Sequence, residues 1–385
     1  MTKEDFKLFS SSQYCDNDLC SCYQVVGGNN LKIKSQKTGQ MYCNVCKNKF
    51  SVRKGTMIFG LRTPLDKIIS TLSLLAGGMG SNAVVRETKV TGDSLRAWVV
   101  LASTQVDNFT AYMQQDMHLE QVQIDEFWSY IRKKKENLTP DELEKVANDA
   151  EFAENSGDMW TFVAVLPESS FIHAEHTAER TQVEAEVFIK KVKTRSDGEA
   201  PFFMSDCWFY MSVLIALYSF LQVVAYGGRG RPAKPKRVVD PNLRYGQVHK
   251  KRNEKGKIEH VSTRIVLGDE IRILHELQDA ERSKTINTDY VESRNGKYRK
   301  DNARLIRRTL CHSKKAIFHK ASITFLTQVY NYTRTIDALK VEINPNAALF
   351  EKKYQHRTPA MAEGLIDKPL TIKELLCIRP LSIAA

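Results

Sequence analysis

Long apolar runs are scarce in this sequence. In 385 residues one stretch, Trp208 to Tyr226, goes nineteen residues without a charge, which is long enough to span a bilayer. Ser212, Ser219 and Gln222 interrupt it and no second run resembles it, so a buried core helix is the expected reading; an anchor here would put residues 1–205 and 227–385 on opposite sides of a membrane. The first thirty residues hold neither a basic segment nor an apolar one, so no secretory signal is read and a reducing, cytosolic setting is expected. No internal repeat is found, which excludes repeat architectures.

An acidic surplus is missing too. Lys and Arg number 57 against 45 Asp and Glu, giving a net charge of +12 and a pI near 9.2. That balance favours a polyanionic partner, nucleic acid or an anionic surface, and is silent on fold. The apolar content of 42% is ordinary for a globular chain. Cys15, Cys20, Cys22, Cys43 and Cys46 crowd the first 46 residues, whereas Cys207, Cys311 and Cys377 are scattered. Such clustering suits a metal site better than a disulfide framework.

Turn signals at Gly27-Gly28-Asn29-Asn30 and Thr38-Gly39-Gln40 predict small hairpins, a cysteine-pinned knuckle, over residues 1–60. From Leu65 the apolar period becomes helical and stops at Gly77-Gly78-Met79-Gly80; two short helices, Ser81 to Thr88 and Gly92 to Ser103, follow, then a connecting helix to about Leu119. Strands are expected at Val122 to Trp128, Trp160 to Leu166 and Phe171 to His176, with an acidic excursion, helical from Pro140 to Glu154, between the first two. A helix through Val183, Val187, Phe188 and Val192 leads to a fourth strand, Pro201 to Ser205. Three antiparallel strands joined to a parallel one by a crossover helix is the order of a ribonuclease-H-like domain. A basic insertion, about 227–268, reads as a linker and a hairpin turning at Glu254 to Lys257, and the chain is expected helical again from Asp269 to Leu339.

Cys15-x4-Cys20 and Cys43-x2-Cys46 offer four thiolates in two pairs, the spacing of a closed structural zinc site; Cys22 competes with Cys20, and unligated buried cysteines are the plainer reading. The three short helices have the length and turn of a helix-turn-helix, with Thr91, Ser94 and Arg96 near the start of the helix that would enter a major groove and Trp98 facing inward; ordinary packing explains them equally simply. Arg229-Gly230-Arg231-Pro232 resembles an AT-hook core, an extended pair of guanidinium groups suited to a narrow minor groove, or else it is a solvated basic linker.

Asp125 falls in a predicted strand, Asp206 at the end of another, and Glu292 near the start of a helix beginning around Asp289. Oxygen ligands from three elements can hold two magnesium ions. Each also has a plain reading: Asp206 as an N-cap, Asp125 as a surface carboxylate, and Glu292 as one of several with Glu270, Glu276 and Glu281.

The wording around these residues is more specific. Gln123-Ile124-Asp125-Glu126-Phe127-Trp128-Ser129-Tyr130, Ser205-Asp206-Cys207-Trp208, Tyr290 to Arg299 (YVESRNGKYR) and Arg304 to Lys314 (RLIRRTLCHSK) resemble the catalytic motifs of bacterial insertion-sequence DDE transposases of the first-named (insertion element one) family. The knuckle, the GDMWTFVAV segment and RTPAMAEGL extend the resemblance over nearly the whole chain; Cys207, where a small residue is usual, and the lack of Pro-His within Asn331 to Thr335 depart from it.

The resemblance implies an α+β multidomain chain: a zinc-ribbon-like knuckle (1–60), a helix-turn-helix (61–118), a ribonuclease-H-like DDE catalytic domain (119–340) and a tail (341–385). It implies Asp125, Asp206 and Glu292 as catalytic carboxylates binding Mg2+ or Mn2+, with Arg294, Asn295 and Arg299 as neighbours, and structural Zn2+ on the cysteines. The expected partners are double-stranded DNA, as terminal repeats and target, with no membrane, and a homodimer or higher oligomer on DNA in the nucleoid. A zinc-dependent DNA-binding regulator with a decayed catalytic half is the rival expectation.

Overall fold

The computed structural model describes residues 2–222 and 234–381. It divides into two compact units, one made of Met1–Gln114 with Lys300–Ala385 and the other of Gln115–Arg299. The segment after residue 300 clusters with the N-terminal region.

In the discontinuous unit, α1 (Lys3–Ser11) is a helix where only hairpins were expected. The Thr2 side chain caps it, and Phe6 and Phe9, one turn apart, are buried. Strands β1 (Leu31–Ser35), β2 (Gln40–Cys43) and β3 (Lys49–Ser51) form an antiparallel meander. Helices α2 (Leu65–Ala76), α3 (Ser81–Thr88) and α4 (Gly92–Met113) follow. Lys89, in the left-handed region at φ 55°, turns the chain between α3 and α4. The expected short third helix and its connecting helix are one element, because Leu95, Trp98, Val99, Ala102, Val106 and Phe109 keep an unbroken buried stripe.

The other unit is built on a six-stranded mixed sheet. Its elements are β4 (Gln121–Ile131), α5 (Pro140–Asn148), α6 (Ala150–Glu154), β5 (Gly157–Leu166), β6 (Phe171–Ala178), α7 (Gln182–Thr194), β7 (Phe202–Ser205) and α8 (Tyr210–Leu217). Then come β8 (Ser219–Gln222), β9 (Lys236–Val239), β10 (Arg244–Arg252), β11 (Ile258–Leu267), α9 (Glu270–Asp279) and α10 (Asp289–Asp301). The strand order is β11-β10-β7-β4-β5-β6. β7 runs parallel to both β4 and β10, and the other pairs are antiparallel.

Alternation decides what each face meets. Phe162 and Phe203 carry one face onto α7 and α8 through the ring pairs Phe162–Phe188 and Phe203–Tyr218, with centroids 5.7 and 5.6 Å apart. Phe202 and Met204 carry the opposite face onto Ile273 and Leu277 of α9. Gly246 permits a close approach there, since a Cβ would stand 2.9 Å from Ile286.

Two sequence readings change in this unit. The hairpin is where the basic insertion was expected, turning through Asn253 to Lys257, but its first arm, β10, is a strand of the central sheet. The apolar run at 208–226 is not one buried helix either: α8 has only eight residues, β8 pairs with β9, and Trp208 is 77% exposed. Residues 223–226 lie outside the described ones. Among the described residues no helix is long and apolar enough to cross a membrane.

The chain closes the first unit with α11 (Ala316–Thr333), β12 (Ile336–Glu342), β13 (Tyr354–Arg357), α12 (Pro359–Ala362) and α13 (Ile372–Cys377). The expected helical stretch thus ends in strand β12. α11 lies against α4, with the Phe109 and Tyr332 rings 5.1 Å apart. The tail packs as well: Leu375, Leu376 and Cys377 are buried, and the Gln105 amide donates to the Ile378 carbonyl.

Candidate functional site

Two places gather chemistry. The first is the cysteine knuckle. Sulfur atoms of Cys15, Cys20, Cys43 and Cys46 all lie within 4.8 Å of one another, the one set of three or more His, Cys, Asp or Glu ligand atoms so placed among the described residues. Cys15 Sγ is 3.5 Å from Cys46 Sγ, and Cys20 Sγ is 3.9 Å from Cys43 Sγ. Cys22 stands outside the four; its backbone N–H donates to Cys20 Sγ at 3.4 Å. The Asn48 backbone N–H holds the Cys46 thiol down at about 6, while burial pushes the Cys15 thiol up. Four convergent sulfurs, some already drawn toward thiolate by backbone donors, can hold a metal ion.

The second place is the end of the central sheet where β4 and β7 lie side by side. Gln121 pairs with Phe202 and Gln123 with Met204. Continuing that register by two residues sets Asp125 level with Asp206, which follows the last residue of β7. Sequence alternation puts Gln123, Asp125 and Phe127 on one face of β4, and α10 runs along that face. Gln123 Oε1 accepts from the backbone N–H groups of Tyr290 and Val291 (3.0 and 3.3 Å). Asn295 Nδ2 donates to Asp125 Oδ2 at 2.7 Å, and the Tyr298 and Phe127 ring centroids are 5.1 Å apart. Four residues of strand and eight of helix each advance roughly 12–13 Å, so the two elements stay in step.

Glu292 is carried on the same helix, one turn before Asn295. The ammonium of Lys250, from β10, reaches between the other two carboxylates: it bonds Glu292 Oε1 closely, Asp206 Oδ2 at 3.4 Å and Thr288 Oγ1 at 3.3 Å. Thr288 in turn donates to Glu292 at 2.6 Å. Burial, then the charges of Asp206 and Glu126, push the Asp125 carboxyl up to about 7, and Glu292 adds to this. Burial opposes the Lys250 charge, but its bond to Glu292 and the charge of Asp206 outweigh it and raise its pKa. Glu126 points to the opposite face of β4, where Arg180 Nε (2.7 Å) and the Tyr210 hydroxyl (3.0 Å) donate to it.

Of the expected neighbours, Asn295 meets Asp125 directly. Arg294 is buried with its guanidinium 5.0 Å from the Tyr298 ring, and Arg299 lies 5.7 Å from the Phe127 ring. In the other unit, Thr91 caps α4 by accepting from the Ser94 backbone at 3.1 Å, and its hydroxyl donates to Ser94 Oγ at 2.9 Å. Arg96 pairs with Asp93 and stands 5.8 Å from the Phe318 ring; Trp98 is buried as expected. Arg229 and Arg231 lie outside the described residues.

Sequence reasoning missed Lys250 and Gln123. Gln123 left a signal: a polar residue in a strand otherwise fit for a fully buried position needs a partner. Lys250 left none, being one cation in a basic run. Compared with known proteins, the chain matches no family model and no curated protein.

Proposed function

We propose that the chain is a DNA transposase of the DDE type, cutting the ends of an insertion element and joining them to target DNA. The observation that carries this reading is the parallel pairing of β4 with β7 through Gln123 and Met204, which two residues further on sets Asp125 beside Asp206, with Lys250 linking Asp206 to Glu292 of α10. The strand order, in which α7 crosses over from β6 to a strand parallel to β4, supports a ribonuclease-H-like catalytic domain.

The donors are of the kind a hard cation takes, carboxylate oxygens, and the Lys250 ammonium stands between two of them; the three carboxylates do not draw within 4.8 Å of one another, as the four cysteine sulfurs do. Asp125, Asp206 and Glu292 would hold Mg2+ or Mn2+, which when bound supplies an activated attacking oxygen and a stabilised leaving oxygen. Asn295 orients the Asp125 carboxylate, Gln123 anchors the start of α10, and Lys250 balances Asp206 and Glu292. The knuckle is read as a structural zinc ribbon, since a closed four-sulfur shell leaves no position for substrate. α2, α3 and α4 are read as a helix-turn-helix that binds the terminal repeats through Thr91, Ser94 and Arg96. Two paired ends call for a homodimer or higher oligomer on double-stranded DNA, acting in the nucleoid.

The test is cleavage of a plasmid carrying the element's ends and flanking DNA, with MgCl2 or MnCl2. Asp125→Asn, Asp206→Asn and Glu292→Gln should each abolish nicking, and wild-type rates in all three would remove the assignment. The Lys250 bridge also favours a second reading, a zinc-dependent DNA-binding regulator whose catalytic half is closed by that ion pair. Binding of the ends without any cleavage in manganese would decide for it.

A further inference from the structure

Within the discontinuous unit, a cavity of about 680 Å³ opens between the start of α3, the start of α4 and the segment from Arg304 to Phe318. Four of its lining residues are fixed cations, Arg96, Arg304, Lys314 and Lys315, against one carboxylate, Asp93, which already pairs with Arg96. Arg304 is half-buried, and its guanidinium donates to two hydroxyls, Ser313 Oγ at 3.1 Å and Ser81 Oγ at 2.9 Å, neither of which offsets its charge. α3 begins at this cavity without a side-chain cap. A concave site with a surplus of cations, hydroxyl groups and an uncapped helix start is built for an anion with several oxygens.

We infer that this pocket binds a phosphate group, with Arg304, Lys314 and Lys315 as its principal ligands. The arginine fork matches two phosphate oxygens, and the lysines, both exposed, reach the group from the rim. The phosphate comes from a DNA backbone beside the helix-turn-helix or from a free phosphate compound. The first source rests on the DNA-binding reading above, whereas the pocket itself does not.

The full-length zinc-loaded protein separates these cases. Binding of a short labelled duplex is followed by anisotropy across a KCl series, and binding of inorganic pyrophosphate by calorimetry. Lys314→Ser/Lys315→Ser is compared with Lys3→Ser/Lys7→Ser, which removes the same charge from exposed positions on α1. For a backbone phosphate, the slope of log Kd against log salt falls by roughly 2 in the first variant alone. If the wild type ignores duplex DNA but binds pyrophosphate, and the first variant alone loses it, the pocket stands and the DNA reading falls. If both variants match each other in slope and pyrophosphate binding is absent or unchanged, the inference is overturned.

Discussion

Lys250 contributes its charge to the site from a strand that the sequence presents only as part of a basic run. Its single ammonium offsets part of the charge of Asp206 and Glu292, so in the proposed metal-dependent reaction a divalent ion would have to displace it before using those oxygens. Lys250→Met should therefore bind Mn2+ about tenfold more tightly, equivalent to about 1.4 kcal/mol, in a calorimetric titration; unchanged or weaker binding would refute the competition. A different residue governs acid stability. His173 is wholly buried, and burial lowers its pKa from 6.5 to about 4. A histidine depressed in the fold lends stability above pH 6.5 that is lost as pH falls toward 4. Relative to His173→Gln, the wild type should lose about 2 kcal/mol between pH 7.5 and pH 5 in urea unfolding; parallel pH profiles would contradict this. The sequence placed Asp125 on a strand, where it is found, and singled it out by the neighbouring wording. Glu292 was legible by wording alone, and Lys250 not at all, since its role depends on β10 joining the sheet beside β7.

Local elements were read well where one period ran uninterrupted. The strands around Ile124 and Val163 and the helix through Phe188 lie where expected, because their apolar spacing serves a single buried environment. The run from Trp208 misled because uniform apolarity carries no period: it cannot say that Tyr218, at φ −106° and ψ 52°, leaves the helix for an edge strand. The knuckle's register is settled by geometry rather than spacing, since Cys20 and Cys22 are equivalent on paper. Cys20→Ser should lose the bound metal, whereas Cys22→Ser should retain it, as measured by metal content after dialysis; the reverse pattern would move the ligand to Cys22. The start of α10 depends on one side chain. Gln123→Leu leaves the Tyr290 and Val291 amides without their acceptor, so it should cost about 1–3 kcal/mol and speed hydrogen exchange at those two amides. Unaltered exchange there would show that Gln123 does not anchor the helix.

At the scale of the whole molecule, the surplus of twelve positive charges suggested a polyanionic partner but gave no location for it, and the two compact units could not be read from composition. Their boundary is invisible in the sequence because the first unit is not contiguous. α4 packs on α11, and Arg379 Nη1 donates to Gln13 Oε1 at 3.1 Å across nearly the full length of the chain. This connectivity orders events during synthesis. The knuckle and the first four helices leave the ribosome early, but their packing partners follow only after the 115–299 unit has been made. At translation speeds of about 5–20 residues per second, the wait for α11 is on the order of ten to forty seconds. Throughout that interval α4 has only α2 and α3 to pack on, and Phe109 lacks the Tyr332 ring it meets in the fold. A nascent chain stalled before residue 300 thus lacks α11 and the tail that complete its first unit.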